Sequence, residues 1–311
     1  MRLRVNLTAW GRHLSTAISY LIPSLLAGGN LPSLGLKHDV VVDFCSTRAG
    51  LESLRQITLF PFADVAFHVI DDPTGYNPHD VFSQANNTSL RLMDDGEGCI
   101  FLCPDMVLSD GSLRWLSDHV DAQAVVIAGI LRTDIHGASN AIEQFRNGDA
   151  INVGPRQLMR VLLDHPHRVT QSLTMDNPFS SNWPSQIYWK VGGEGLVARC
   201  FHAHPLFVRS RETIIRDTID GSFLDGIGDI LYVTNSDDVA TIEMSDPSHM
   251  RGTIWRKPMH FKNARKFASA AATKIHRRHA AQSIRCVADM TDPALWTAVE
   301  SASNDFMAKV L

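Results

Sequence analysis

Strand-like and helix-like segments alternate over the first 135 residues, and this alternation constrains the fold more than any other feature of the sequence. The runs DVVVDFC at 39–45 and AVVIAGIL at 124–131 have the β-branched, apolar composition of strands buried on both faces. Helical patterns lie between such runs, at 14–27, 49–58 and 79–93. The alternation predicts βαβ units, and therefore an α/β fold with a mostly parallel, Rossmann-like sheet flanked by helices.

Residues 136–250 have a different character. Turn-forming and aromatic residues dominate at 177–189, and strand-like pieces follow at 195–203, 206–209 and 230–234. No linker rich in Pro or Ser separates this region from the residues before it. We therefore expect an antiparallel extension of the same domain and not a separate second domain.

Basic residues dominate the C-terminal region, 251–311. Between Arg251 and Arg285 there are ten Lys or Arg residues and no Asp or Glu. The alanine-rich composition predicts a helix over 263–288, and Asp292 or Thr291 is suited to cap a last helix over 293–310. The basic helix is interpreted either as a solvated face or as a peripheral contact with anionic membrane lipids.

Composition and missing motifs exclude several classes of function. The formal net charge of −4 gives no reason to expect nucleic-acid binding. The five cysteines are odd in number and widely scattered, which indicates reduced thiols in the cytoplasm. The longest apolar stretch near the start, at 18–26, is too short to span a bilayer. No GxGxxG follows the first strand, and the motifs GxxxxGK[ST] and GxSxG are missing. These absences argue against a dinucleotide enzyme, a P-loop NTPase and an α/β-hydrolase, respectively.

Asp105 is the first residue that we expect to carry chemistry. It lies in FLCPDMVLSDG, where an apolar strand ends, and ligands of open α/β sheets bind at the carboxyl ends of the strands. A carboxylate there is able to hold Mg²⁺ or Mn²⁺ against a diphosphate. The alternative is a turn aspartate, with the nearby Asp110 acting only as a helix N-cap.

His202 and His204 form a pair in CFHAHPLFV. Two residues at positions i and i+2 of a strand point to the same face, so the pair is placed to bind a metal or phosphate oxygens. The alternative is that the rings pack beside aromatic side chains. The same pair also suits a metal-dependent hydrolase, together with Asp105 and Asp220.

Two further carboxylates are candidates for catalysis. Asp220 lies in TIDGSFLD, beside a glycine that allows close approach to a ligand, and is our expected general base. An Asp-Gly turn between strands explains the same residues without function. Glu194, in GGEG, is a second and weaker candidate.

Aromatic and early polar residues are the remaining candidates. Trp183, Tyr188 and Trp189 have rings that stack on sugars, although such rings are also common in cores. A nucleotide base commonly lies at the ends of the first strands of an α/β sheet. Residues at those ends are therefore expected to contact a nucleotide: Thr8, Trp10, Arg12 and Asp43.

The order of these features resembles a GT-A-type glycosyltransferase over residues 1–235. The segment GCIFLCPDMVLSDGSLRWL corresponds to the strand that ends in the acidic motif of that family, with Asp105 as its acidic residue. His202 or His204 corresponds to the later residue that completes the metal site. The sequence has one carboxylate where the family usually has two, so the resemblance leaves metal dependence open.

The resemblance implies transfer of a sugar, of the hexosyl type, from a nucleotide-sugar to an acceptor hydroxyl in cell-surface polysaccharide synthesis. Residues 1–135 are then the nucleotide-binding half, 136–250 the acceptor side, and 251–311 a basic helical extension. Mn²⁺ or Mg²⁺ on Asp105 and His204 neutralises the diphosphate, or basic residues do so without metal. The implied donor-binding set is Thr8, Trp10, Arg12, Asp43, Asp105, His202, His204, Arg256 and Lys257, with Arg209 as a further cation.

The resemblance likewise assigns catalysis to Asp220 and Glu194 and acceptor binding to Trp183, Tyr188 and Trp189. The expected location is the cytoplasm, at the inner face of the membrane if the basic helix binds lipid. Two other functions stay open on the sequence. One is the metal-dependent hydrolase, and the other is a non-catalytic α/β binding module that docks through its basic helix.

Overall fold

The computed structural model describes residues 1–59, 61–71, 73–209, 215, 221–249, 252 and 254–311. The chain forms two units, each built from several stretches of sequence. The first unit contains Met1–Ile127, Arg146–Asn152 and His204–Leu231. The second contains Ala128–Phe145, Val153–Ala203 and Tyr232–Leu311. Within the described residues, no helix is both long enough and apolar enough to cross a membrane.

Helical segments alternate with strands along most of the chain. The helices are α1 Gly11–Thr16, a π-helical segment Ala17–Leu21, α2 Ile22–Leu25, α3 Leu31–Lys37, α4 Arg48–Leu54, α5 Pro78–Leu92, α6 Ser112–His119, α7 Ile135–Glu143, α8 Pro155–Asp164, α9 Arg168–Ser172, a 3₁₀ turn Ser222–Leu224, α10 Phe261–Ala271, α11 Lys274–Ala280 and α12 Pro293–Met307.

The strands are β1 Arg2–Thr8, β2 Asp39–Ser46, β3 Asp64–Val69, β4 Gly98–Leu102, β5 Met106–Leu108, β6 Val125–Ala128, β7 Leu131–Asp134, β8 Arg146–Asn147, β9 Ala150–Ile151, β10 Ser180–Ser181, β11 Gln186–Val191, β12 Gly195–Cys200, β13 His204–Val208, β14 Ile230–Tyr232, β15 Thr241–Ser245, β16 Ile254–Trp255 and β17 Ile284–Val287.

A large sheet organises the first unit. Among the described residues it has seven strands in the order β14-β6-β13-β4-β1-β2-β3. β1 pairs in parallel with both β2 and β4, and β2 pairs in parallel with β3. β13 is antiparallel to β4. These pairings confirm the predicted α/β fold with a mostly parallel sheet. The β-branched run Val40–Val42 is buried inside the sheet, as its composition predicted.

Helix α5 packs against this sheet and carries part of the site. Asn77 caps its start, since Asn77 Oδ1 accepts the backbone N–H of His79 at 3.1 Å, and Pro78 occupies the first turn. The buried side chains of α5 include Ser83, Asn86 and Ser89. A helix face that is both buried and polar needs polar partners on the sheet.

The second unit is built around two smaller sets of strands. β11, β12 and β17 form an antiparallel sheet that is separate from the large sheet. β7 and β15 pair in parallel. Trp296 of α12 is buried and packs near Gly195 at the start of β12.

The structure corrects two predicted elements. Residues 284–287, expected within one long basic helix, form β17, because their pairing with β12 overrides the helical propensity of the surrounding alanines. Asp110 is not the N-cap of α6. The N-cap is Gly111, and Asp110 Oδ1 instead accepts the backbone N–H of Gly29 at 2.6 Å. Asp292 caps α12 through Leu295 N–H at 3.0 Å, as predicted.

Candidate functional site

The carboxyl ends of four parallel strands meet at one edge of the large sheet. The register pairs Thr8 of β1 with Cys45 of β2, and Leu7 of β1 with Leu102 of β4. Asp105 follows β4 in the turn before β5 and is half-buried. Ligands of open α/β sheets bind at such an edge, so the placement of Thr8 and Asp105 agrees with the sequence expectation.

A buried layer of polar side chains lies between the sheet and α5. Three alternate residues of β1 contribute to it, and each bonds a polar partner. Asn6 Nδ2 donates to Ser89 Oγ at 2.8 Å, and Thr8 Oγ1 donates to Asn86 Oδ1 at 3.3 Å. We call this set the polar layer; it consists of Arg4, Asn6, Thr8, Asp43, His68, Asn86 and Ser89.

Asp43 is the centre of the polar layer and has no exposed surface. Its carboxylate accepts hydrogen bonds from Arg4 Nη1 at 3.0 Å, His68 Nε2 at 2.9 Å and Ser89 Oγ at 2.8 Å. Burial by itself favours the neutral acid, but the bonds from His68 and Ser89 and the charge of Arg4 hold the pKa of Asp43 below its usual value. Asp43, which was expected to contact a nucleotide, is therefore an ionised carboxylate inside the unit, and its partners are Arg4, His68 and Ser89.

A cavity of about 340 Å³ lies between β3, α5 and the segment that joins them. This volume is at the lower end of the range for small-molecule sites. His68 is on its wall, so the polar layer reaches the cavity through that imidazole. The other lining residues are Cys45, Val69, Ile70, Asp71, Tyr76, Asp80, Val81, Gln84, Ala85, Thr88 and Arg91.

Two buried polar atoms on α5 have no hydrogen-bond partner among the residues that the structure describes. They are Ser83 Oγ and Asn86 Nδ2, and the two residues are 4% and 1% exposed. Residues three apart share a helix face, so both atoms lie on the side of α5 that contacts Thr8. Buried donors without a partner are uncommon in native proteins and point to a ligand or a bound water.

Trp10 and Arg12 extend this edge beyond β1. Trp10 is half-buried, and its ring lies 6.2 Å from the ring of Phe82 on α5, one residue before Ser83. Arg12 is exposed on α1. Sequence reasoning placed both next to a ligand, and the structure puts the ring of Trp10 against Phe82 of α5.

The two histidines of the predicted pair do not share a strand face. His204 starts β13, is fully buried, and donates from Nε2 to the backbone oxygen of Phe101 at 2.9 Å. His202 lies in a bend before the strand, in the other unit. The strand begins after Ala203, so the i, i+2 relationship does not apply. The hydrolase interpretation loses the feature on which it depended.

The predicted metal site, Asp105 with His204, stays a prediction. Across the described ranges, no group of three or more His, Cys, Asp or Glu side chains is arranged to hold a metal ion. Metal dependence is therefore left to experiment, and we derive no catalytic step through a metal ion. Asp220, the expected base, lies outside the described residues.

Glu194 belongs to the second unit and holds the start of α12. Its carboxylate accepts hydrogen bonds from the Thr291 hydroxyl, from Asp292 N–H at 3.0 Å and from Trp296 Nε1–H at 2.9 Å. The bond from Thr291 is the main cause that lowers the pKa of Glu194. These contacts give the residue a structural role, and catalysis by Glu194 stays a prediction.

The predicted acceptor aromatics occupy different environments within the second unit. Tyr188 is fully buried on β11, its hydroxyl bonded to Gln186, and Trp189 is buried with its ring 5.5 Å from that of Phe306. The prediction that Tyr188 and Trp189 stack on a sugar is therefore wrong, because β11 is buried on both of its faces at these residues. Trp183 is exposed and packs edge-on against Phe267 of α10, at 4.9 Å.

Arg256 and Lys257 are exposed in a bend that follows β16. They lie in the second unit, whereas Thr8, Trp10, Arg12, Asp43 and Asp105 lie in the first. The early members of the predicted donor set therefore belong to one unit. The two cations remain predicted donor contacts.

Sequence reasoning missed most of the polar layer, namely Arg4, Asn6, His68, Asn86 and Ser89, and it also missed the nearby Ser83. A signal for it exists in RLRVNLT, where polar residues alternate with apolar ones in a strand that is central in the sheet. A central parallel strand is usually apolar on both faces, so this alternation indicates a polar surface under the facing helix.

No protein-family model and no curated protein sequence matches the chain. Several solved structures align with the chain. S. aureus TarS aligns at 14% identity and a TM-score of 0.38, covering 90% of this chain and 42% of TarS. Mouse xyloside xylosyltransferase 1 aligns at 16% identity and a TM-score of 0.29, covering 47% of this chain and 58% of that one.

The galactosyltransferase LgtC, in complex with donor and acceptor sugar analogues, aligns at 11% identity and a TM-score of 0.38 over 96% of this chain and 99% of LgtC. Two of these three proteins are named as sugar transferases. The chain spans less than half of the TarS structure aligned with it. No residue role passes from these proteins to this one.

Proposed function

We propose that the protein is a glycosyltransferase that binds a nucleotide-sugar at the carboxyl edge of the large sheet. The observation that carries the proposal is the pair of buried, unpartnered donors, Ser83 Oγ and Asn86 Nδ2, beside the end of β1. The acidic Asp105 follows the neighbouring strand at the same edge. The resemblance of the Asp105 segment to GT-A enzymes supplies the reaction type.

The unpartnered atoms fit the base or ribose of a nucleotide. The Asn86 amide nitrogen donates hydrogen bonds, and uracil, cytosine and guanine present carbonyl oxygens that accept them. Adenine has no carbonyl oxygen. The Ser83 hydroxyl both donates and accepts, which suits a ribose hydroxyl, and the half-buried ring of Trp10 offers an apolar face nearby. We therefore propose a carbonyl-bearing base in the donor.

In the proposed reaction the acceptor oxygen forms a bond to the anomeric carbon of the sugar, and the bond from that carbon to the diphosphate oxygen breaks. The acceptor hydroxyl loses its proton to a general base, for which Asp220 is the expected residue. Asp105 is proposed to contact the donor ribose and phosphates. Arg12, exposed at the same end of the unit, is proposed to offset the charge that develops on the leaving diphosphate.

The finer features of the proposal rest on the sequence alone. They are a hexosyl donor, an acceptor glycan destined for the cell surface, Mn²⁺ or Mg²⁺ assistance, and a cytoplasmic location at the inner face of the membrane. Donor contacts from Arg256 and Lys257 and acceptor contact from Trp183 are also proposals.

The test is a thermal-shift series with UDP, CDP, GDP and ADP and their sugar conjugates, with and without Mn²⁺. A ligand that binds the native state raises its stability, by about 2.7 kcal/mol at a hundred times its Kd. We expect one of the carbonyl-bearing nucleotides to raise the melting temperature more than ADP does. The shift should shrink in Asp105→Asn and in Ser83→Ala.

Ser83→Ala is informative because the hydroxyl has no partner among the described residues, so its removal should leave the ligand-free melting temperature nearly unchanged. Ser53→Ala, an exposed serine on α4, is the matched control and should keep the full nucleotide shift. If no nucleotide stabilises the wild-type protein, or if Ser83→Ala keeps the full shift, the proposed donor site is wrong.

A further inference from the structure

The cavity between β3 and α5 lies apart from Asp105 and Asn86, which mark the proposed donor site. β3 is the edge strand on this side of the large sheet, and β4, which precedes Asp105, is three strands away from it. At about 4.8 Å per strand, the ends of β3 and β4 are about 14 Å apart. Asn86 is two residues from Gln84 of the cavity wall, so the two side chains project from nearly opposite sides of α5. The cavity is therefore a second place for a ligand in the first unit.

A polar stripe of α5 forms one wall of the cavity. Its members are spaced by four, four and three residues, so they follow one face of the helix; they are Asp80, Gln84, Thr88 and Arg91. At about 1.5 Å per residue, the stripe is about 16 Å long. These side chains include hydrogen-bond acceptors, donors and a hydroxyl that does both. A ligand that lies along α5 therefore meets polar groups over its whole length.

The other wall comes from β3 and the segment that follows it. His68 Nε2 lies 2.9 Å from Oδ1 of the ionised Asp43, which only accepts hydrogen bonds, so the ring donates there and its orientation is fixed. Asp71 follows β3 and is exposed. Tyr76 precedes α5 and is 70% exposed. An imidazole, a carboxylate and an accessible aromatic ring thus line the same cavity as the polar stripe of α5.

This lining suits the hydroxyls of a carbohydrate. A sugar hydroxyl both donates and accepts hydrogen bonds, and it finds acceptors in Asp71 and Asp80 and groups that do both in Gln84 and Thr88. The ring of Tyr76 offers an apolar face to the C–H groups of a sugar. A phosphate suits the cavity less well, because the carboxylates after β3 and in the first turn of α5 repel it.

We propose that this cavity binds a neutral sugar unit of the acceptor glycan, outside the donor site. The assignment to an acceptor rests on the proposed sugar transfer, whereas the binding of a sugar by the cavity does not. A sugar held away from the reacting hydroxyl supplies binding energy that positions the acceptor for transfer. The sequence expectation placed the acceptor on Trp183, Tyr188 and Trp189 of the second unit, and the cavity belongs to the first.

Saturation-transfer difference NMR tests the proposal without any activity measurement. The probes are the methyl glycosides of glucose, galactose and N-acetylglucosamine, each mixed with the full chain without nucleotide. We expect saturation to pass from the protein to at least one glycoside. An excess of UDP or of inorganic phosphate should leave that signal in place, because the cavity repels anions. No transfer to any glycoside, or displacement by either anion, contradicts the proposal.

Gln84→Ala locates the bound glycoside. Gln84 is exposed, so its loss should leave the melting temperature close to that of the wild type. The dissociation constant of the glycoside should rise by roughly 2- to 10-fold, the effect of one lost hydrogen bond. Gln56→Ala is the matched control, because it removes an exposed glutamine of the same unit that is not part of the cavity lining, and it should bind like the wild type. Equal affinities in the two variants would overturn the proposal.

Asp71→Asn tests the acidic end of the cavity. The substitution keeps the size of the side chain and removes its charge, so glycoside affinity should fall, since hydrogen bonds to an ionised acceptor are the stronger ones. Asp64→Asn is the matched control, because Asp64 is exposed at the opposite end of β3. It should keep the affinity of the wild type. A loss of the same size in both variants would mean that the carboxylate of Asp71 makes no contact with the sugar, against the proposal.

The donor site and the cavity are separable by experiment. A nucleotide that stabilises the protein while no glycoside binds would leave the donor site standing and overturn the sugar-binding cavity. A glycoside that binds while no nucleotide does would support the cavity as a sugar site. Sugar transfer would then lose its donor, and the assignment of the bound sugar to an acceptor would be wrong.

Discussion

The imidazole Nε2 of His68 lies 2.9 Å from Oδ1 of Asp43, a carboxylate with no exposed surface. The bond joins two neighbouring parallel strands, β3 and β2, on the face that α5 covers. Arg4 of β1 contacts the same carboxylate, and Arg4 Nε lies 3.7 Å from Glu97 Oε2. One ionised side chain therefore connects three strands and a helix.

Asp43→Asn should lower the free energy of unfolding by about 3–5 kcal/mol, because it removes the carboxylate nearest to the buried guanidinium of Arg4. Urea denaturation monitored by circular dichroism measures the change. Asp118→Asn is the comparison, since it breaks an ion pair with Lys37 that is exposed on both sides. If the two variants lose the same stability, Asp43 does not organise the unit as described.

Stability should fall as the pH drops below about 6.5, because His279 is fully buried. Burial, together with the charge of His202, lowers the pKa of His279 to about 3. Between that value and its unfolded pKa of about 6.5, the unfolded chain binds a proton that the folded chain does not, so stability rises with pH. The full contribution is present above the unfolded pKa.

In His279→Asn, the slope of unfolding free energy against pH should decrease by up to about 1.4 kcal/mol per pH unit in the mildly acidic range. Denaturation curves at several pH values give that slope. His136→Asn replaces an exposed histidine of the same unit and should keep the slope of the wild type. An unchanged slope in His279→Asn would show that folding does not lower the pKa of this ring.

Gly29→Ala should destabilise the protein by about 1–3 kcal/mol, since overpacking forces the backbone to shift. An added Cβ would lie 2.6 Å from the backbone nitrogen of Gly111 and 2.7 Å from Asp110 Oδ1. Gly28→Ala, one residue earlier, meets nothing within 4 Å and should leave stability unchanged or raise it by a few tenths of a kcal/mol. Thermal melts of the pair decide whether the close approach is real, and equal melting temperatures would refute it.

Glu194→Gln should lower the melting temperature, because the start of α12 loses a charged acceptor that binds Asp292 N–H and Trp296 Nε1–H. The rate of the proposed sugar transfer, measured per folded molecule, should stay near that of the wild type. Activity is compared at a temperature where both proteins are folded. A large loss of turnover without a loss of stability would indicate that Glu194 is a catalytic residue.

The strands of the large sheet were predictable because their composition reports burial directly. Val40–Val42 and Val125–Ile127 are apolar on both faces, and only a covered sheet accommodates such runs. β17 was not predictable in the same way. Its residues follow an alanine-rich helical stretch, and the strand exists through its pairing with β12, a contact remote in sequence.

The site was predictable only where position along a strand determines it. Thr8 is the last residue of β1, and Asp105 follows the end of β4. The ends of such strands can be predicted from the sequence. The partners of Asp43 could not be read, because Arg4, His68 and Ser89 come together through strand order and helix packing. Tyr188 was predicted to face an acceptor but is buried in the core. The surrounding sequence, an aromatic residue near turn formers, is the same in either case.

The position of β13 has a consequence for synthesis of the chain on the ribosome. β13 lies between β4 and β6, yet its residues, His204–Val208, emerge long after both neighbours. Until then, β4 has an open edge, and closing it requires a contact distant in sequence, which slows folding. The nascent first unit therefore stays incomplete while the residues between β6 and β13 are being made, and during that interval its open strand edge exposes it to aggregation.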